Sequence, residues 1–186
     1  MPFQSTEFPG LMIYEPKVFE DSRGFFFEAY NQKEFDFERQ SFDFVQDNQS
    51  RSVYGVIRGL HYQLNPFAQT KLVRVLTGAI WDIAVDIRKG SPTYGKVFGI
   101  ELSSDNKLQL LIPKGFAHGF SVVSEYADVL YKCDNYYHRQ SEGSIIWNDP
   151  QLAIDWKIAA GKEIISGKDM EHPGFNDCVN NFHYGA

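Results

Sequence analysis

Apolar and polar residues alternate with period two along much of the chain, most clearly over residues 80–87. There Trp81, Ile83, Val85 and Ile87 fall on one face, and Ile80, Asp82, Ala84 and Asp86 on the other. One face is apolar and the other carries two carboxylates among small or apolar neighbours. Such a mixed face either lines a pocket inside a layered β-structure or faces water, and this stretch alone leaves both open. The pattern predicts further strands over Lys71–Thr77 and over residues 97–102, 108–113, 119–123, 127–132 and 144–147. Turn signals rich in Gly, Pro, Ser, Asn and Asp separate them. Residues 11–30 read as extended, with a turn at 21–24. Helical signals are few: residues 32–39 after an Asn31 cap, and a short turn capped by Ser166. Many short strands at near-regular spacing predict an all-β sandwich or barrel.

Length and composition narrow this. The chain has 186 residues, and residues 1–186 read as a single domain without repeat, low-complexity tract or linker. Aromatic residues make up 16%, which supports strands. The net charge of -6 argues against broad nucleic-acid or anionic-membrane binding and leaves room for one small basic pocket. Two cysteines, Cys133 and Cys178, make neither a disulfide framework nor a zinc pattern. No run approaches the ~20 apolar residues of a membrane helix, and the first residues lack a signal-peptide pattern. The expectation is a soluble cytoplasmic protein.

Four clusters could carry chemistry. Arg58-Gly-Leu-His61-Tyr-Gln63 is followed by Lys71 at the start of a strand. His118 stands between Ala and Gly at the entry to an apolar strand, where small neighbours let a ligand approach the backbone. Tyr131 lies on a strand with apolar alternate positions, and Glu142 follows. Near the start, Arg23-Gly-Phe-Phe-Phe-Glu28 is too apolar for a free edge strand. Each has an ordinary alternative: a satisfied histidine, a solvated arginine, a packed tyrosine, a hairpin buried in its own core. His61 and His118 alone are a poor metal set, so the site reads as metal-free. No G-x-G-x-x-G, Walker loop or G-x-S-x-G occurs, which removes support for dinucleotide, nucleotide-triphosphate and serine-esterase chemistry.

Taken in register, seven motifs resemble one family. They are RGLHYQ (58–63), KLVRV (71–75), WDIAVDIR (81–88), SPTYG (91–95), PKGFAHGF (113–120), YKC (131–133) and WNDP (147–150). Their order and spacing are similar to those of the dTDP-4-dehydrorhamnose 3,5-epimerase family from about residue 10 to 169. The resemblance implies a jelly-roll, cupin-like double-sheet barrel with short flanking helices. It implies a homodimer, no cofactor and no metal. The implied substrate is a nucleotide-linked 4-keto-6-deoxyhexose, inverted at C3 and C5.

Protons at C3 and C5 flank a C4 ketone, so the reaction needs a base on one face, a donor on the other and a positive group at the C4 oxygen. By resemblance, His61 is the base and Asp169 the carboxylate that orients it, with Asp82 a rival partner on spacing. Lys71 is the cation at the oxyanion and Tyr131 the acid. Arg23 and Arg58 would hold the diphosphate. Glu28, Gln46, Asp47, Asn48, His118, Glu142 and Lys168 match sugar- or nucleotide-contacting positions, and Phe26 and Tyr137 match places for base stacking or pocket closure. The strand from Arg23 to Glu28 would serve the partner's site by strand exchange. One departure stands out: no Pro occurs between Tyr137 and Glu142. Two other readings stay open: an epimerase acting at one carbon or on another nucleotide sugar, and a non-catalytic sugar-nucleotide-binding cupin.

Overall fold

The alternation becomes short strands stacked in two layers. The computed structural model describes residues 2–35 and 42–185. In chain order the elements are β1 (Phe3–Ser5), β2 (Met12–Tyr14), β3 (Phe19–Asp21), β4 (Gly24–Phe26), α1 (Gln32–Phe35), β5 (Gln46–Val53) and β6 (Val56–Gln63). Then come β7 (Lys71–Thr77), β8 (Ala79–Asp86), β9 (Val97–Ser103), β10 (Gln109–Ile112), β11 (Phe116–Val122) and β12 (Tyr126–Cys133). The last are β13 (Glu142–Ser144), β14 (Ile164–Ile165) and α2 (Gly167–Met170).

One sheet runs β1-β2-β10-β7-β12-β5. The other runs β13-β6-β11-β8-β9, with β14 added in parallel to β6. A separate hairpin joins β3 and β4. The two large sheets pack face to face: Val73 and Val75 of β7 and Val129 of β12 share one cluster with Ile80 and Ala84 of β8 and Phe120 of β11. Among the described residues no strand pairing closes them into a barrel, and the architecture is the double sheet of the expected cupin-like, jelly-roll kind. No helix among the described residues is long and apolar enough to cross a membrane.

The mixed face of β8 points between the sheets, and Asp82 and Asp86 are fully buried there. Its apolar face is covered as well, because Ile83, Val85 and Ile87 pack against Trp156, Phe175 and Phe182 of the C-terminal segment. The water-facing alternative therefore fails on both faces. Asp86 is a structural anchor. It accepts from Ser91 Oγ at 2.5 Å, Thr93 Oγ1 at 2.7 Å and the Arg88 guanidinium at 2.7 Å. Burial pushes its carboxyl up, and these hydrogen bonds outweigh burial and leave it below the ordinary carboxylate value.

β7 has the expected bounds, and β9, β10 and β12 differ from expectation by about one residue at an end. β11 starts earlier, at Phe116, and of the strand expected at 144–147 only Ser144 lies in one, as the last residue of β13. Past that point Ile145 still exchanges two backbone hydrogen bonds with Leu60, both 3.1 Å. The extended segment at 11–30 forms β2 and the β3–β4 hairpin. Asn31 caps α1, its Oδ1 accepting from Lys33 N at 3.1 Å. Of the helix expected at 32–39, residues 36–39 lie outside the described residues.

Candidate active site

Position 58 and position 61 are an odd number of residues apart, so a regular strand would point them to opposite faces. β6 is not regular there. His61 pairs with His118 and Arg58 with Phe120, so three steps on β6 oppose two on β11. This extra residue is a β-bulge, and it turns Arg58 and His61 toward the same cavity. The bulge depends on Gly59, whose φ is +131° and where a Cβ would lie 2.6 Å from Gly119 Cα.

The C-terminal segment completes the surroundings of His61. β14 aligns beside Val56 and Ile57 of β6. Ser166 then caps α2, its Oγ accepting from Asp169 N at 3.1 Å. That places Asp169 Oδ1 3.0 Å from His61 Nε2, with Glu142 Oε1 3.7 Å from Nδ1. The carboxylate beside Nε2 favours the proton on that nitrogen and leaves Nδ1 with a free lone pair. Burial foremost, then Lys71, His172, Lys168 and His118, push the imidazole down to about 3, so it is neutral at pH 7. The rival Asp82 is taken: both its oxygens lie within 3.1 Å of His118 Nε2.

Lys71 and Tyr131 enter from the facing sheet, on β7 and β12, with Lys71 Nζ 5.8 Å from the Tyr131 ring centroid. Burial holds the Lys71 ammonium below its ordinary value and the Tyr131 phenol above its own. Lys71 makes no ion pair among the described residues. His61, Lys71, Tyr131 and Asp169 all line one cavity of about 720 Å³. A neutral imidazole on one sheet thus faces a phenol and an ammonium on the other. Between them lies room for a group that loses a proton on one side and gains one on the other.

Most of the expected binding residues converge on the same cavity. Arg58 sits at its wall, its Nε donating to Ser52 Oγ at 3.0 Å. Gln46 and Asn48 line it, and Gln46 Oε1 accepts from Tyr137 N at 3.0 Å. His118 and Tyr137 line it too. Glu142 joins the rim, accepting from Lys168 Nζ at 2.8 Å and from the Tyr137 hydroxyl at 3.3 Å.

Four positions do not. Alternation along β5 points Asp47 away from Gln46 and Asn48, and it pairs with Lys132 Nζ at 3.0 Å. Arg23, Phe26 and Glu28 line no part of this cavity within the chain. The Arg23 side chain is 88% exposed and pairs with Asp21 at 2.6 Å. Phe26 is 71% exposed, and Glu28 accepts from Asn31 Nδ2 at 2.9 Å.

One residue was missed. His172 lies edge-on to His61, ring centroids 5.2 Å apart, with Nε2 3.7 Å from Asp169 Oδ1. Its only sequence signal is the three-residue step from Asp169 after a capped turn. His61, Asp169 and His172 are the metal-ligand-type cluster among the described residues.

Residues 5–177 match the family model of dTDP-4-dehydrorhamnose 3,5-epimerase. The dTDP-4-dehydrorhamnose 3,5-epimerase of Shigella flexneri is 51% identical over 174 residues, 93% of this chain and 95% of that one. The crystal structure of the dTDP-4-dehydrorhamnose 3,5-epimerase of Elizabethkingia anophelis superposes with a TM-score of 0.90 at 52% identity, covering 94% of this chain and 96% of that one. A dTDP-6-deoxy-D-glucose-3,5-epimerase from Legionella pneumophila, solved in complex with dTDP-4-keto-L-rhamnose, superposes with a TM-score of 0.92 at 48% identity, covering 99% and 98%. By its bulged His61 strand, its facing Lys71 and Tyr131, and this match along nearly its whole length, the chain belongs to the dTDP-4-dehydrorhamnose 3,5-epimerase family.

Proposed function

We propose that the protein, as one cupin-like domain, inverts C3 and C5 of dTDP-4-dehydro-6-deoxy-D-glucose to give dTDP-4-dehydro-L-rhamnose, without a cofactor. The observation that carries this reading is the placement of His61 and Tyr131 on facing sheets of one cavity, with Lys71 beside Tyr131.

His61 Nδ1 takes the proton from the carbon next to the ketone. The C–H bonding pair moves into the ring and the carbonyl pair onto the C4 oxygen, giving an enolate. The Lys71 ammonium stabilises that oxygen. Asp169 orients His61 and stabilises the imidazolium formed at that moment. Tyr131 gives its proton to the opposite face of the carbon, and the ketone reforms. His61 loses its proton and the phenolate regains one through solvent, and the second carbon reacts in the same way. Arg58 holds the diphosphate with a forked donor set. Tyr137 packs against the base.

The β3–β4 hairpin extends this reading to a homodimer. Phe19, Phe25 and Phe26 are all more than half exposed, which is costly on a free hairpin. Exchanged across a dimer, it would bring Arg23, Phe26 and Glu28 to the partner's cavity.

Incubation with the substrate in deuterated water, followed by NMR, tests the reaction. Deuterium at both C3 and C5 is expected. Deuterium at one carbon selects a monofunctional epimerase, and none at either overturns the reading.

A further inference from the structure

We propose that His61, Asp169 and His172 form a binding site for a divalent cation of the zinc class, and that its occupation silences the enzyme. The silencing rests on His61 acting as the base; the binding does not.

Two imidazoles and one carboxylate suit a borderline metal ion. Asp169 Oδ1 lies 3.0 Å from His61 Nε2 and 3.7 Å from His172 Nε2, and all three ligand atoms lie within 4.8 Å of one another. Ligand atoms about 2.1 Å from a tetrahedral zinc stand roughly 3.4 Å apart. Two edges of the triangle already bracket that value, and the third, between the two imidazoles, is within 4.8 Å. The cavity supplies the open fourth position, since His61 remains 30% exposed.

His172 is otherwise unexplained. Its side chain is only 7% exposed, and neither ring nitrogen makes a hydrogen bond of normal geometry to a described residue. Its Nδ1 is fully buried. A metal on Nε2 leaves the proton on Nδ1, and gives this otherwise unpartnered ring a role. The residue is also held in place: the next one, Pro173, accepts from Ile146 N at 2.8 Å.

The local charge permits a cation. Lys168 is neutralised by Glu142 at 2.8 Å, and Glu142 also lies 3.7 Å from His61. Burial holds Lys71 below its ordinary value, while Cys133, Asp82 and Glu142 pull it the other way. His118 is held by Asp82 and does not compete for the ion.

Occupation would act through the tautomer of His61. With the metal on Nε2, the ring's one proton moves to Nδ1, the nitrogen that takes the substrate proton. No proton is lost, but the base is filled, and Asp169 is withdrawn from orienting it.

Zinc titration of chelator-stripped enzyme against a chromophoric chelator, with X-ray absorption on the bound ion, tests the site. One zinc per chain with two imidazole nitrogens in its shell is expected, and binding at least tenfold weaker in His172→Gln. No stoichiometric binding, or fewer than two imidazoles on the zinc, overturns the site, and the absorption measurement needs no variant. Saturating zinc should suppress deuterium wash-in at C3 and C5 at least tenfold, and EDTA should restore it. Bound zinc with undiminished wash-in overturns the silencing. Enzyme inert without zinc would instead fail the epimerase reading, while titration and absorption would still decide the site.

Discussion

Asp82 and His118 are locked together, with both carboxylate oxygens 3.0 to 3.1 Å from one ring nitrogen, deep between the sheets. This pairing leaves Asp169 as the carboxylate within reach of His61 Nε2. Asp169→Asn should therefore lower kcat by about 10²–10⁴-fold, the usual scale for losing an oriented base. Asp82→Asn should act mainly on KM and stability through His118. Steady-state kinetics on both variants checks this, and equal kcat losses would remove Asp169 from its role.

The pH dependence follows from the neutral His61. The active form is the unprotonated ring, and burial with nearby cations pushes it from 6.5 down to about 3. In EDTA, kcat/KM should stay flat as pH falls from 8 through 6.5, with its acid limb lower still. The same shift has a stability side. Between 6.5 and about 3 the unfolded chain binds a proton that the folded chain refuses. Stability from this group is thus full above 6.5 and declines as pH falls toward 3. Denaturant midpoints across that window should fall with pH, less steeply in His61→Asn.

Tyr131→Phe separates the two halves of the reaction. The base remains, so the variant should still exchange substrate protons with solvent. The donor on the opposite face is gone, so inversion should drop by at least about 10²-fold, the lower scale of acid–base catalysis. Deuterium wash-in without product, read by NMR, is the expected signature. Inversion at the wild-type rate would remove Tyr131 as the acid.

Lys71→Met should lower kcat by about 10²–10³-fold, the scale for losing one oxyanion donor, with a smaller change in KM. Single-turnover kinetics would show the slowed chemical step.

Gly59→Ala places a Cβ where Gly119 Cα already stands at 2.6 Å, on a backbone with φ of +131°. The loss should exceed ~1 kcal/mol and carry activity with it, because Arg58 and His61 need the bulge to share a face. Thermal unfolding and wash-in assays together check this.

Much of the fold was legible because alternation survives wherever both faces of a strand are distinct. Lys71–Thr77 shows this, as does the two-faced pattern of residues 80–87. The Ser166 cap was legible from its residue type. β5 was not, because its eight residues are nearly all polar and no hydrophobic period marks them. Strand β6 was hidden by its bulge, which breaks the period at Gly59. In the site, the family resemblance named His61, Lys71, Tyr131 and Asp169, which the fold brings to one cavity, while the place of Asp47 off that cavity follows from the register of β5. His172 had no marker, since its meaning comes from packing against His61 rather than from its neighbours in sequence.

The outer edge of β6 is finished in two halves, by β13 along Gln63 to His61 and by β14 along Val56 and Ile57. The segment that brings β14 also brings Asp169. A chain cut between Ser144 and Ile164 would lose the carboxylate and bare half of a sheet edge in the same event. Damage there would thus be self-reporting: the inactive fragment would also be the one prone to pair with its neighbours and leave solution.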